Sequence, residues 1–255
     1  MIDAHAHLTD RRFAADVAEV LERARKAGIE RVLTAGEDVA SSEEALTLAA
    51  HHGDLRVAVG VHPHRADSWG PDALDRLMEL ARDPRVVAIG EIGMDFSGRS
   101  ASPDAQEAAF RAQLGLAALL DLPVVIHVRD AGDRVRAILG EGVQVRGMIH
   151  CYSEGPQELP RWLELGLHVS FAGTLTYPGS DRLRAAAALV PADRLLAETD
   201  APYLAPQNAR GRRNEPLYVA ATHAALARER GAEIGDLAAE IAQNARKLFG
   251  DRWGT

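Results

Sequence analysis

The stretch IDAHAHL, residues 2–8, has the pattern of a first strand and places two histidines two positions apart. On a β-strand, side chains at positions i and i+2 point to the same face, so His5 and His7 share a face with Asp3. A single His-x-His pair is by itself more typical of packed or exposed rings than of a functional site. Its significance depends on which residues the fold places beside it.

Strand-like and helix-like segments alternate along the whole sequence. Short runs rich in aliphatic and β-branched residues predict eight strands, at residues 2–7, 31–35, 55–61, 86–91, 123–128, 145–150, 167–171 and 194–199. Longer segments between them have helical patterns, such as residues 14–27 and 106–120. This alternation favours parallel βαβ units, and about eight units match a (β/α)₈ barrel. We predict an α/β fold, a single TIM-barrel domain over residues 1–255; a doubly wound open sheet is the alternative.

Composition limits the classes of partner and compartment. The chain has 255 residues and a net charge of −8, so no overall basic field attracts it to nucleic acid or anionic membranes. Its single cysteine, Cys151, excludes an intramolecular disulfide and fits a reducing compartment. The sequence has neither a signal-peptide pattern nor an apolar run of about 18 residues. We expect a cytoplasmic protein that does not associate with membranes, and no obligate protein partner is indicated.

Six of the predicted strands end in histidine, glutamate or aspartate. In chain order, these residues are His5 and His7, His62 and His64, Glu91, His127, His150, and Asp200. Such residues otherwise avoid apolar strands, and barrels assemble their active sites at the C-terminal ends of their strands. The sequence therefore predicts a functional site at that face of the barrel.

The four remaining histidines fit structural roles better. His51 and His52 fall at a predicted helix C-terminus, where an imidazolium suits the helix dipole. His168 opens the seventh strand at the opposite face of the barrel, and His223 lies in a terminal helix. We expect none of these four to belong to the site.

The residue types at the strand ends are those that bind divalent metal ions. We expect the ligands to be His5, His7, Glu91, His127, His150 and Asp200, holding two ions (Zn²⁺, Mg²⁺ or Mn²⁺). Only a carboxylate has two oxygens with which to bridge two ions, and Glu91 lies centrally in the strand order. The chain's two lysines, Lys26 and Lys247, both fall in predicted helices, which excludes a carbamylated lysine as the bridge.

Strand adjacency divides the ligands into two groups. The first and eighth strands are neighbours in a closed barrel, so His5, His7 and Asp200 would hold one ion together with the bridge. His127 and His150, from the fifth and sixth strands, would hold the other. Two adjacent ions polarise a phosphoryl or carbonyl oxygen and lower the pKa of water. Asp200 is then placed to accept the proton of that water, so Asp200 and Glu91 are the catalytic candidates.

With these motifs in order, the chain resembles the TatD family of metal-dependent deoxyribonucleases, among the amidohydrolase-like barrels. The resemblance covers nearly the whole length and rests on IDAHAHL, GVHPH, GEIGMDF, LPVVIHVRDA, IHCYSEG and AETDAPYLAP followed by RGRRNEP. It implies hydrolysis of DNA phosphodiester bonds, on single strands or ends, including 3′–5′ exonuclease action. It also implies the same six metal ligands.

The resemblance further implies a set of residues near the substrate: His62, His64, Arg210, Arg212, Arg213 and Asn214. Arginine suits phosphate because its fork donates two parallel hydrogen bonds. A helix-start hydrogen bond for the histidines and a solvated loop for the arginines are the alternatives. Asp95, on a loop after Glu91, is expected to order the site, and Glu198 to point inward below Asp200. Glu154, in CYSEG, departs from the family pattern and would repel a nearby phosphate.

Three functions remain open at this point. The first is hydrolysis of DNA phosphodiesters. The second is hydrolysis of another ester, a lactone or an amide, since two metal ions do not by themselves choose between phosphorus and carbon. The third is a non-catalytic, metal-dependent binding protein, against which the retention of all six ligand types argues.

Overall fold

Eight parallel strands form one sheet in which each strand pairs with the next in the chain. This is a computed structural model, and it describes residues 1–98 and 101–254. The strands are β1 (Ile2–Ala6), β2 (Arg31–Ala35), β3 (Leu55–Val59), β4 (Val86–Asp95), β5 (Val124–Arg129), β6 (Gly147–Ile149), β7 (His168–Phe171) and β8 (Leu195–Ala197). Beyond β8, a parallel bridge between Ala6 and Ala201 joins the last strand to the first. The predicted (β/α)₈ barrel is confirmed, and the open sheet is excluded.

Helices surround the barrel. They are α1 (Val17–Lys26), α2 (Val39–His51), α3 (Pro71–Leu80), α4 (Pro103–Leu120), α5 (Gly132–Leu139), α6 (Leu159–Leu163), α7 (Asp181–Leu189), α8 (Val219–Arg230) and α9 (Ile234–Phe249). Helix α4 starts three residues before its apolar periodicity because the Ser102 hydroxyl accepts a hydrogen bond from the Ala105 N–H. It ends where Asp121 adopts a left-handed conformation with φ 50°. Within the described residues, none of the helices has both the length and the apolarity to cross a bilayer.

Aliphatic side chains from the strands fill the barrel and the layer between strands and helices. All ten residues of β4 are buried, as expected for a strand that is covered on both faces. The polar groups of the site therefore rest on a packed apolar floor that includes Ile89, Ile92 and Ile126. Such a floor limits the side-chain movement of the residues above it.

Strand β4 contains a bulge that the sequence pattern did not predict. Ile89 pairs with Val124 and Ile92 with Ile126, so three steps on β4 match two on β5. The extra residue falls at Gly90 and Glu91, and bulges of this kind redirect side chains. Gly93 is required by the close approach that follows, because it has φ +139° and a Cβ there would lie 2.0 Å from the His127 carbonyl oxygen. The predicted strand 86–91 was too short, since β4 continues to Asp95.

Candidate metal centre

The structure brings all six predicted ligands together at the C-terminal mouth of the barrel. Their donor atoms, with those of His62, form overlapping groups whose members lie within 4.8 Å of one another. The Asp200 N–H donates to the His5 carbonyl over 3.0 Å and the His7 N–H donates to the Ala201 carbonyl over 2.6 Å. These backbone hydrogen bonds across the barrel seam place the Asp200 side chain beside the two histidines.

One oxygen of Glu91 faces the first group of ligands. Glu91 Oε2 lies 3.2 Å from the Nε2 atoms of both His5 and His7. Asp200 Oδ1 lies 3.7 and 3.5 Å from the same two nitrogens, which are 3.1 Å apart. Ligands about 2.1 Å from a tetrahedral ion are separated by about 3.4 Å, so these spacings match those around a small cation.

The other oxygen of Glu91 faces the second group. Glu91 Oε1 lies 2.8 Å from His127 Nδ1 and 2.8 Å from His150 Nε2, and the two nitrogens are 3.2 Å apart. Asp95 Oδ2 lies 3.2 Å from the far nitrogen of His127, and Glu198 Oε1 lies 3.2 Å from that of His150. A neutral imidazole carries a proton on only one nitrogen, and each carboxylate holds that proton on the nitrogen it faces. The other nitrogen of His127 and of His150 therefore directs its lone pair toward Glu91.

These contacts test whether metal ions fit the residues present. Two imidazole lone pairs and a carboxylate oxygen converge within 3.2 Å, which repels unless a positive charge lies among them. Glu91 Oε2 is buried and accepts no hydrogen bond from the described residues, although two imidazole nitrogens are close to it. Nitrogen and oxygen donors in this arrangement suit borderline divalent cations. The residues can therefore hold metal ions.

The electrostatics also favour a cation. Burial acts to raise the pKa of the Glu91 carboxyl, but the neighbouring His150, His62 and His5 hold it well below its usual range. Burial acts to lower the pKa of His7, yet Asp200 and Glu91 raise it well above its usual value. The Glu91 carboxylate therefore stays ionised, and His7 lies in the negative potential of two carboxylates, which also favours a bound cation.

His62 was expected near the substrate phosphate, and the structure places it inside the ligand cluster. Its Nδ1 accepts the His64 backbone N–H over 3.0 Å, so in the neutral ring Nε2 carries the proton. That Nε2 lies 3.2 Å from Glu91 Oε1, and burial lowers the pKa of His62 to about 4. His62 is therefore a neutral donor that orients Glu91. His64 lies at the rim, with its Nε2 2.8 Å from Asp95 Oδ2.

Asp95 and Glu198 support the ligands from below and beside them. Asp95 is the last residue of β4, not part of a loop, and the Ser97 N–H donates to its Oδ1 over 2.8 Å. Glu198 points inward as predicted and is fully buried. Asp3 is also buried and accepts hydrogen bonds from the Thr199 N–H and hydroxyl, which fixes the segment before Asp200.

Arg213 was expected to contact the substrate, but the structure pairs it with acidic side chains of the protein. Its guanidinium donates to Asp16 Oδ1 and Oδ2 over 2.7 Å each and to Glu215 Oε1 over 2.8 Å. It also lies over the Phe13 ring, 4.7 Å from the centroid. These contacts tie the loop after β8 to the segment before α1, so Arg213 holds the loop in place.

Asn214 is likewise a loop support in this structure. It is fully buried, and its Nδ2 donates to the Thr199 carbonyl over 2.8 Å and to the Tyr203 carbonyl over 2.6 Å. A substrate has no access to that amide. Arg210 and Arg212 are exposed on the same loop, and the Arg210 guanidinium stacks over the Tyr177 ring at 4.0 Å.

The ligands line a cavity of about 710 Å³, and sequence reasoning missed several of its walls. Arg129, Arg182, Glu37 and Tyr203 all border it. Arg129 follows His127 by two positions at the end of β5, so the same strand-end argument would have identified it. Arg182 lies on helix α7, where no periodic pattern marks it.

Glu154 is close to the cavity but its charge is neutralised. Its Oε2 accepts hydrogen bonds from Arg136 Nη1 over 2.9 Å and from Trp162 Nε1 over 2.5 Å. The expected repulsion of a phosphate is therefore much weaker than the sequence implied. Arg136 is itself nearly buried, which strengthens this pairing.

Comparisons with known proteins agree with this geometry. The family model described as TatD related DNase matches residues 2–250. A protein of Klebsiella pneumoniae named 3′-5′ ssDNA/RNA exonuclease TatD is 41% identical over 257 residues, covering 98% of each chain. A protein of the same name from Erwinia amylovora is 41% identical over 258 residues, covering 98% of this chain and 100% of that one. A TatD homologue of Escherichia coli K12 superposes with a TM-score of 0.89 at 30% identity, covering 98% and 97%. The chain belongs to the TatD related DNase family.

Proposed function

We propose that this protein is a 3′–5′ exonuclease that removes nucleotides from single-stranded DNA or RNA with two divalent metal ions. One observation carries the proposal: the two oxygens of Glu91 face two separate sets of ligand atoms. The names of relatives about 41% identical over nearly the whole chain support the substrate and the direction of cleavage. The bound ions would be Zn²⁺, Mn²⁺ or Mg²⁺.

The residues of the chain divide the work of hydrolysis among them. Divalent ions supply a water of lowered pKa and positive charge beside a phosphoryl oxygen. Asp200 is the candidate base for the attacking water, because its carboxyl is ionised: burial acts to raise its pKa, but His7, His150 and His5 together lower it. Glu91 holds the two ligand sets at a fixed spacing, and His62 donates to Glu91 so that both of its oxygens keep their orientation.

Positive charge at the cavity wall would hold the phosphate. Arg129 and Arg182 border the cavity as exposed guanidiniums, and His64 lies at its rim beside Asp95. Arg210 and Arg212 remain candidates for contacts farther along the strand. Because the overall charge of the chain is −8, these local cations must carry the attraction for a polyanion.

The proposal also covers the number of catalytic domains and the cellular compartment. One barrel carries one site, and the family match over residues 2–250 supports a single catalytic domain. The single cysteine, Cys151, borders the cavity and suits a reducing compartment, so we infer action in the cytoplasm.

The test is hydrolysis of end-labelled oligonucleotides by protein reconstituted with each metal ion. A 5′-labelled single strand should shorten one nucleotide at a time, whereas circular single-stranded DNA should stay intact because it has no end. Cleavage of the circle would replace exonuclease with endonuclease action. Turnover of lactones or carboxyl esters without any turnover of nucleic acid would reject the proposed function.

A further inference from the structure

A second cavity adjoins the one around the metal ligands. It has a volume of about 600 Å³ and is open to solvent. The residues that border both cavities are Val128, Ser153, Glu154 and Arg182. Because cavities of about 300 Å³ or more accommodate small organic ligands, each has room for one nucleotide. The two cavities form a continuous groove.

The charges of the second cavity are largely paired. Three of its arginines form ion pairs: Arg134 with Glu107, Arg136 with Glu154, and Arg161 with Asp133. The fourth, Arg182, has no carboxylate partner within residues 1–98 and 101–254 and stands where the two cavities meet. An exposed, unpaired guanidinium is suited to binding an anion. The groove therefore offers one anion contact at its junction.

The position of Arg182 depends on a glycine. A Cβ on Gly155 would lie 2.0 Å from Arg182 Nε, so the guanidinium rests directly against the Gly155 backbone. Gly132 has a similar role for Glu154, because a Cβ there would lie 2.2 Å from Glu154 Oε1. The acid is thus held against α5, where its Oε2 accepts a hydrogen bond from Arg136. A phosphate beside Arg182 would meet no unpaired carboxylate from Glu154.

An aromatic ring forms another wall of the second cavity. Phe96 follows the last residue of β4 and is 38% exposed, so its ring is accessible to a ligand in the cavity. Its N–H donates to the Arg129 carbonyl over 2.9 Å, which fixes its backbone beside β5. Nucleic-acid bases stack on exposed aromatic rings of this kind. The remaining walls include acids such as Asp130, which suit an uncharged base and sugar better than a phosphate.

We propose that the second cavity binds the penultimate nucleotide of the strand. This inference rests on the proposed function. A 3′-terminal nucleotide beside the ligands continues only on its 5′ side, and the adjoining cavity lies where the next nucleotide must pass. The penultimate base stacks on Phe96, and Arg182 contacts the phosphate that links the two nucleotides. The enzyme therefore recognises a dinucleotide unit of single-stranded DNA or RNA.

The test compares two trinucleotides that differ only in the penultimate base, which is present in one and absent (an abasic sugar) in the other. Wild-type protein reconstituted with metal ions should cleave the intact substrate with a kcat/KM about tenfold higher or more, as expected for loss of one stacking contact. Phe96→Ala should abolish that preference, and Phe96→Tyr should retain it. Arg182→Ala should slow both substrates equally. Arg228→Ala, whose exposed side chain on α8 is paired with Glu229 and borders neither cavity, is the control and should leave both rates unchanged.

The outcomes separate the two proposals. If wild-type protein cleaves neither trinucleotide, the proposed function is wrong and this inference falls with it. If wild-type protein cleaves both at the same rate, or if Phe96→Ala keeps the wild-type preference, the nuclease stands and the penultimate subsite is wrong. Loss of the preference in Arg228→Ala would show that a substitution outside both cavities is enough to remove it, which also contradicts the inference.

Discussion

At the scale of single residues, Asp200 combines two properties that few side chains in the barrel share. Its Oδ1 faces His5 and His7. Burial acts to raise the pKa of its carboxyl, but His7, His150 and His5 together lower it, so the carboxyl stays ionised. A carboxylate of this kind is both a ligand and a proton acceptor. Asp200 reaches this position because it follows β8, where its N–H donates to the His5 carbonyl of β1.

Asp200→Asn removes the proton acceptor while keeping the size of the side chain. We expect a loss of about 10²–10⁴-fold in kcat for nucleic-acid hydrolysis, the usual contribution of general acid–base catalysis. The measurement is single-turnover hydrolysis of a labelled single strand, with metal content determined in parallel. Activity within a few-fold of wild type at unchanged metal content would remove Asp200 from that role.

Buried histidines away from the site should make stability depend on pH. His223 is fully buried, its Nε2 faces the Ile2 carbonyl at 3.2 Å, and burial lowers its pKa from 6.5 to about 4. The folded state therefore takes up fewer protons than the unfolded state below about pH 6.5. Its contribution to stability is complete above that pH and is lost as the pH falls toward 4.

For His223→Gln we expect a shallower loss of stability with acid. Between pH 7 and pH 5 the wild-type protein should lose roughly 2 kcal/mol more than the variant, from the difference between the two pKa values. Urea unfolding at the two pH values measures this. His51→Gln, on the exposed end of α2, is the control and should follow the wild type. Parallel losses in His223→Gln and wild type would contradict the assignment.

At the scale of elements, the loop after β8 acts as a brace for the site. Asn214 joins the carbonyls of Thr199 and Tyr203, which flank Asp200 in the chain. Arg213 joins the same loop to Asp16. The basic cluster that resembled a phosphate-binding loop thus contains two residues that hold the loop in place, Arg213 and Asn214. Its exposed arginines, Arg210 and Arg212, precede them in the chain.

Asn214→Ala should destabilise the fold and damage the site without selectivity for substrate. We expect a loss of roughly 2 kcal/mol, because the buried Thr199 carbonyl and the partly buried Tyr203 carbonyl both lose their donor. Hydrolysis of a nucleic-acid strand and of a small phosphodiester should fall by the same factor, since Asp200 is displaced for both. Asn208→Ala, exposed on the same loop, is the matched control. A variant that loses only nucleic-acid hydrolysis would restore Asn214 as a substrate contact.

Strand boundaries were the weaker part of the sequence prediction at this scale. The predicted strands located every element, but β4 runs four residues past its predicted end, because its bulge keeps the pairing with β5 in register up to Asp95. A bulge depends on how closely two backbones approach, here at Gly93 and His127, and a one-dimensional pattern does not contain that distance. Helix α4, by contrast, begins at Pro103 with Ser102 as its cap, a start that Ser102, Pro103 and Asp104 indicate in the sequence although the apolar pattern begins later.

At the scale of the whole molecule, the barrel and the gathering of the ligands were predictable for one physical reason. Closing eight parallel strands brings their C-terminal ends to one face, so polar strand-end residues such as His127 and His150 must meet there. Side-chain roles that depend on tautomer or on distant partners were not predictable. The role of His62 as a hydrogen-bond donor depends on the bond that its Nδ1 accepts from the His64 N–H. The charge of Glu154 is neutralised by Arg136, which lies 18 positions earlier in the chain.

Removal of metal ions should lower the thermal stability of the whole barrel. Ions at about 100 times their Kd stabilise the folded state by about 2.7 kcal/mol, which corresponds to about 5–10 °C in Tm for a chain of this size. Differential scanning calorimetry with and without a chelator measures the shift. Glu91→Gln should show a smaller shift because the carboxylate shared by both ligand sets loses its charge. Equal Tm values for wild-type protein with and without ions would contradict the presence of a metal centre.

The account rests on Glu91 as a bridge between two metal ions. The most direct measurement is the anomalous diffraction of crystals reconstituted with Mn²⁺ or Zn²⁺. We expect two anomalous peaks about 3.5–4 Å apart, one against each oxygen of Glu91, with His5, His7 and Asp200 around the first and His127 and His150 around the second. A single peak, or two peaks with no Glu91 oxygen between them, would contradict the account.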